Sequence, residues 1–104
     1  MNVNYANSSL PHLHEIYDLE AGDAVEVTLD APANVQLMDD ENYANYVGGQ
    51  EFRYHGGHVK ETTFRVRPPD PGRWHLVIDL GGGAGRIRAA ARMVTAHQCK
   101  ENNP

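Results

Sequence analysis

A chain of 104 residues with a formal net charge of −5 is long enough to bury one hydrophobic core and too acidic to suit nucleic acid as a partner. Its single cysteine, Cys99, excludes an internal disulfide, and no apolar run reaches the roughly 18 residues of a membrane-spanning helix. Because no signal peptide is recognisable at the N-terminus, we expect a cytoplasmic protein without a membrane partner.

The chain divides into one domain and two polar ends. Residues 1–11 and 97–104 are polar, so we expect a flexible arm and a flexible tail on either side of a single β domain over 12–96. Ten glycines and six prolines favour short elements joined by tight turns. The sequence therefore predicts an all-β fold, a small antiparallel β-sandwich or partly open barrel of about six to eight short strands.

Residues 12–38 show the strand pattern most clearly. A first strand is predicted over 12–19, although its apolar residues have no clean period. Residues 24–29 alternate strictly between apolar and polar side chains, which is typical of a strand with one buried face. After a turn, a short third strand is predicted over 35–38.

The connection over residues 39–50 contains the one helical signal. Asp39 or Asp40 is suited to cap a short helical turn near 40–46, and the pair Gly48-Gly49 would end it. We therefore expect one helical turn within an otherwise all-β domain.

The second half contains the predicted central strand. Residues 52–54 resume a strand that Gly56-Gly57 would break, and the next strand is predicted over 59–66. The longest apolar run, residues 72–80, lies between a proline turn and a glycine-rich stretch. We predict that it is the central strand, with Trp74 on its core face and a partly polar opposite face.

Residues 86–96 fit two patterns. Their apolar side chains form one face at the period of a strand and another at the spacing of a helix, and alanine and arginine favour helix. The glycine-rich connection after a strong strand favours a hairpin, so a final strand is the preferred interpretation.

Acidic and basic residues are separated along the chain. Residues 1–52 contain ten Asp or Glu and no Lys or Arg, whereas residues 53–104 contain all nine Lys and Arg. Opposite charges across a strand pair stabilise it, so we expect the acidic strand over 24–29 to lie beside a basic strand from 59–67 or 86–94. In the alternative, the surface is dipolar and favours a charged partner.

Three groups of residues together resemble one bacterial family, domain of unknown function 1883, between about Leu13 and Val94. The groups are Leu37-Met38-Asp39 with Asn42 and Tyr46, Tyr54-x-Gly56-Gly57-His58, and Gly72-x-Trp74-His75 with Val77-Ile78-Asp79-Leu80-Gly81-Gly82. The resemblance implies a small, soluble, mainly β bacterial protein, in some members joined to a Toll/interleukin-receptor domain. It carries no known activity and points only toward a sensing or interaction module.

Four residues suggest a metal site. His55 and His58 are separated by two glycines, and His75 and Asp79 lie on the polar face of the predicted central strand. In the alternative, the glycines form a turn and the histidines are hydrogen-bonded structural residues. We expect no cofactor, with a metal ion at these four residues as the competing possibility.

Candidate binding residues share positions in predicted loops and turns. They are Asn42, Tyr43, Tyr46, Tyr54 and His58 for a ligand or protein partner, and Arg86 and Arg88 for an anion held beside the glycine-rich stretch. Serine and cysteine occur only at the polar ends of the chain, as Ser8, Ser9 and Cys99, and no nucleophile elbow is present, so we do not expect an enzyme.

The preferred function is therefore a non-enzymatic interaction or sensing module. The alternatives are a metal-binding domain or metal-dependent enzyme, and a binder of a small anionic ligand or glycan. The sequence leaves homo-oligomer formation open.

Overall fold

A computed structural model describes residues 11–60, 63–81 and 87–96, which form seven strands and one helix. In chain order these are β1 (His12–Leu19), β2 (Ala24–Leu29), β3 (Ala33–Met38), α1 (Asp40–Val47), β4 (His55–Val59), β5 (Thr63–Val66), β6 (Gly72–Asp79) and β7 (Ala89–Val94). The predicted tail and residues 1–10 of the predicted arm lie outside the described residues.

The strands form two antiparallel sheets. One has the order β1-β6-β3-β4 and the other the order β5-β2-β7. The all-β prediction and the central position of β6 are confirmed, since β6 pairs with β1 on one side and with β3 on the other. The predicted final strand is confirmed over Ala89–Val94, where β7 pairs with β2, but the predicted hairpin with the preceding strand is wrong, because β6 and β7 belong to different sheets.

The main core lies between the two sheets and follows the period-two alternation of the strands. Its buried members include Val25, Val27, Leu29, Val35, Leu37, Trp74, Leu76 and Ile78. Trp74 is only 8% exposed, which confirms its predicted core role. Removing such apolar surface from water is the dominant favourable term in folding, at about 25 cal/mol per Å².

The charge-neutralisation prediction for β2 is confirmed. Glu26 lies opposite Arg65 on β5 and opposite Arg92 on β7. Its two carboxylate oxygens accept hydrogen bonds from Arg65 Nε and Arg92 Nε, both at 2.9 Å. These two bonds hold the pKa of Glu26 below its usual value, so charges from the two halves of the chain meet on one sheet.

The prediction around the paired glycines is wrong. Residues 52–54 are not in a strand, and β4 runs straight through Gly56 and Gly57. Gly56 has φ +125°, and a Cβ there would lie 2.1 Å from the backbone oxygen of Val35. Glycine is required because β3 passes so close. The strand predicted over 59–66 is instead the end of β4 followed by β5, with 61–62 outside the described residues.

Helix α1 covers the outer face of the four-stranded sheet. Asp39 is its N-cap, and the Asp39 Oδ1 atom accepts a hydrogen bond from the Asn42 amide at 2.8 Å. Gly48 is the C-cap, as expected. Tyr46 packs on Met38 and Val77 in a second, smaller apolar cluster, so the predicted polar face of β6 is buried as well.

Candidate functional site

Polar and aromatic side chains gather on the outer face of the four-stranded sheet, beneath and beside α1. Because side chains alternate along a strand, β6 directs His75 and Asp79 to this face while Trp74 and Leu76 enter the main core. The face carries two hydrogen-bonded centres, one around His75 and the other around Asp79.

The first centre is a chain of three groups, named here the histidine relay: Asp40, His75 and His14. His75 Nε2 lies 2.5 Å from Asp40 Oδ1, and His75 Nδ1 lies 2.8 Å from His14 Nε2. The Asp40 carboxylate only accepts, so His75 Nε2 carries a proton and, in the neutral ring, Nδ1 accepts from His14 Nε2–H. Arg73 Nε lies 3.7 Å from the same Asp40 oxygen.

The ring of Tyr43 fixes the relay by stacking. Its centroid lies 4.0 Å from that of His14 and 4.6 Å from that of His75, and both pairs are nearly parallel. His12 borders the group, with its Nε2 atom 3.3 Å from the Tyr43 hydroxyl oxygen. The imidazoles therefore lie between β1, β6 and α1, and any movement of α1 must disturb them.

The electrostatics of the relay keep His14 neutral and Asp40 charged. Burial, followed by repulsion from His75 and His12, lowers the pKa of His14. The hydrogen bond from His75, with help from Arg73, lowers the pKa of Asp40 although burial opposes this. Near neutral pH the relay thus contains one carboxylate and an imidazole that resists protonation.

The second centre surrounds Asp79, whose side chain is buried. Its oxygens accept hydrogen bonds from Tyr46 Oη at 2.6 Å, Asn34 Nδ2 at 2.8 Å, Gln36 Nε2 at 3.0 Å and the Gly81 amide at 2.9 Å. Burial raises the pKa of Asp79, but these donors outweigh burial and lower the pKa below its usual value. Burial and the Asp79 charge also raise the pKa of Tyr46. Asp79 therefore fastens α1 to β3 and β6.

The four predicted metal ligands are not brought together. His55 pairs with Leu37 and His58 with Asn34, so the two histidines occupy opposite faces of the sheet. The His55 ring packs against Trp74, and His58 Nδ1 lies 3.2 Å from Asn34 Oδ1. Within 11–60, 63–81 and 87–96, no group of three or more His, Cys, Asp or Glu could hold a metal ion.

The predicted contact residues divide into buried and accessible ones. Tyr46, expected to be accessible, is 6% exposed because its hydroxyl is bonded to Asp79. Tyr43 is half-buried in the stack, whereas Tyr54 is 46% exposed. Arg88 is exposed beside the other sheet, away from α1, and Arg86 lies outside the described residues.

A depression of about 630 Å³ lies between α1, the 52–55 segment and the proline turn before β6. It is lined by Met38, Asp39, Asn42, Phe52, Arg53, Tyr54, His55, Pro69, Asp70 and Trp74. The predicted contact residues Asn42 and Tyr54 are therefore neighbours at one concave surface. We name it the aromatic depression.

Sequence reasoning found His75 but missed its partners His14 and Asp40. The available signal was His12-x-His14, two histidines on one face of a predicted strand. That signal becomes interpretable only once β1 is known to pair with β6, which brings His14 within reach of His75.

A family model described as "Domain of unknown function (DUF1883)" matches residues 10–97, a range that takes in every described element. Searches of the curated proteins and of the solved structures found no match. The described residues contain no helix with the length and apolar character of a membrane span, since α1 has only eight residues.

Proposed function

The chain belongs to the family described as a domain of unknown function, DUF1883, and from that premise we propose that it is a non-enzymatic, proton-responsive binding module. Its proposed binding surface consists of α1 and the 52–55 segment, which both line the aromatic depression. One observation carries the proposal: His75 is hydrogen-bonded at both ring nitrogens, to the Asp40 carboxylate of α1 and to His14 of β1.

One added proton and two added protons have different effects on the hydrogen bonds of the relay. One proton leaves a single imidazolium, which donates across the His14–His75 contact while Asp40 balances its charge. A second proton places N–H groups on both facing nitrogens, which lie 2.8 Å apart, so the contact must open.

Opening the relay acts on the binding surface through α1. Asp40 is the first residue of the helix, and Asn42 in the same turn accepts a hydrogen bond from the Arg53 amide at 2.7 Å. The charged and titratable groups around the two imidazoles are Asp40 and Tyr43 on α1, His12 on β1 and Arg73 on β6. Movement of this turn therefore carries Arg53 and the edge of the aromatic depression with it.

The test is an NMR titration of the imidazole resonances of the full chain from about pH 8 to about pH 5. We expect the amides of α1 and Arg53 to shift over the pH range in which His14 takes up its proton, below the ordinary range of a histidine because its pKa is lowered. In His14→Gln, whose amide can still donate to His75, these α1 shifts should shrink strongly. Unchanged α1 shifts in His14→Gln would contradict the proposal.

His58→Gln is the matched control, because His58 also lies on the outer face and contacts only Asn34 in the hydrogen-bond network described above. It should leave the pH-dependent shifts of the α1 amides intact. A bacterial, cytoplasmic setting remains a prediction from the sequence, to be checked by fractionation of the source cells.

A further inference from the structure

We infer that the aromatic depression is a binding site for a neutral saccharide, an inference that rests on the binding module proposed above and names its ligand class. The observations behind it are walls joined to neighbouring elements by hydrogen bonds, an exposed aromatic ring among the lining residues, and a mixture of hydrogen-bond donors and acceptors. The volume of about 630 Å³ also falls within the range of about 300–1,000 Å³ common for small-molecule sites.

Both walls of the depression are tied to the fold by hydrogen bonds. On one side, the Arg53 amide donates to Asn42 Oδ1 at 2.7 Å, which fixes the 52–55 segment against α1. On the other, Trp74 Nε1 donates to the backbone oxygen of Asp70 at 3.0 Å, which fixes the proline turn against β6. Walls held in this way need little ordering when a ligand binds, which favours affinity.

Aromatic rings supply the apolar part of the site. Tyr54 is 46% exposed, which is unusual for a large apolar side chain in the described part of the chain. Its ring centroid lies 5.7 Å from that of Phe52. Trp74 and His55 also line the depression, and their rings meet edge to face at 5.7 Å. An exposed tyrosine combines a flat apolar face with a polar hydroxyl, which matches a sugar ring with C–H groups on one face and hydroxyls at its edge.

The polar lining favours a neutral ligand over a charged one. Asp39 and Asp70 contribute carboxylates, and Arg53 contributes a guanidinium. A phosphate or other anion would face the two carboxylates, and an organic cation would face Arg53. Sugar hydroxyls both donate and accept hydrogen bonds, so they can use the acceptors and the donor together.

The experiment measures binding of the full chain to an immobilised panel of neutral oligosaccharides. The pH is held at about 7.5, above the ordinary pKa of histidine, so that protonation of the histidines does not change during the measurement. Sialylated, sulfated and amino sugars are included as charged comparisons. We expect at least one neutral saccharide to bind, and Tyr54→Ala to weaken that binding by about tenfold or more. Met93→Ala, which truncates an equally accessible residue on β7, should bind like the unmodified chain.

NMR amide shifts induced by the bound saccharide provide the second measurement. They should map to residues 52–55 and 69–74. Three results would overturn the inference: no neutral saccharide binds, only charged sugars bind, or binding is equal in Tyr54→Ala. None of these bears on the histidine relay, whose titration is recorded without saccharide, so the two proposals fail separately.

Discussion

Asp79 and Asp40 both connect α1 to the sheet, yet their surroundings are very different. Asp79 is 2% exposed and accepts four hydrogen bonds, all from neutral donors that cannot change charge near neutral pH. The Asp40 side chain is 63% exposed and its hydrogen-bond partner is His75, which in turn contacts His14, an imidazole whose pKa is lowered by burial and by its neighbours. A carboxylate surrounded by amide and hydroxyl donors gives a permanent attachment, whereas one that depends on imidazoles gives a conditional attachment.

The largest expected effect comes from removing the permanent attachment. Asp79→Ala leaves the donors of Tyr46, Asn34 and Gln36 without their acceptor in a buried region, so the free energy of unfolding should fall by about 3–5 kcal/mol. Urea denaturation monitored by Trp74 fluorescence measures this loss. Asp70→Ala, at an exposed carboxylate, is the control, and a loss below about 1 kcal/mol in Asp79→Ala would remove the distinction between the two attachments.

Two tyrosine substitutions test the same comparison and should lower the free energy of unfolding by smaller amounts. Tyr46→Phe removes the hydroxyl that donates to Asp79 at 2.6 Å, and we expect a loss of about 1.5–3 kcal/mol. Tyr43→Phe keeps the stacked ring and removes only the hydroxyl 3.3 Å from His12, so we expect less than about 1 kcal/mol. The same denaturation experiment ranks the pair, and the reverse order would mean that the contact of the Tyr43 hydroxyl with His12, not the bond from Tyr46 to Asp79, contributes more to holding the helix.

The contributions of the Asp40 and Asp79 attachments should also differ in their dependence on pH, which can be measured on the unmodified chain. The pKa of His14 is lowered in the folded chain, so the unfolded chain binds this proton more tightly and stability declines as pH falls through about 6.5. The pKa of Asp79 is also lowered, so the stability it contributes is present above about 3.9 and is lost as pH falls below that value. Unfolding curves measured in this pH range should show two declines, and His14→Gln should abolish only the upper one.

Sequence reasoning reached the features that depend on local pattern or on the sign of charges. The alternation in β2, the Asp39 cap and the neutralisation of Glu26 were all predictable, because a period, a capping residue and a charge split are visible without strand order. The Asp79 centre was not predictable, because it joins Asn34, Tyr46 and Asp79 from three elements. The turn predicted at Gly56 was wrong for a related reason. Glycine is needed at this position because the neighbouring strand β3 passes too close for a side chain, and the sequence does not show that neighbour.

The position of β6 has a consequence for synthesis on the ribosome. β1 begins at residue 12, but its pairing partner in the sheet, β6, is completed only at residue 79. Until then β1 has no partner in the sheet, although the ten Asp or Glu of the first half begin to meet Lys and Arg once Arg53 has been made. Arg65 on β5 is made before β6 and Arg92 on β7 after it, so both the larger sheet and the full neutralisation of Glu26 are completed only late in translation.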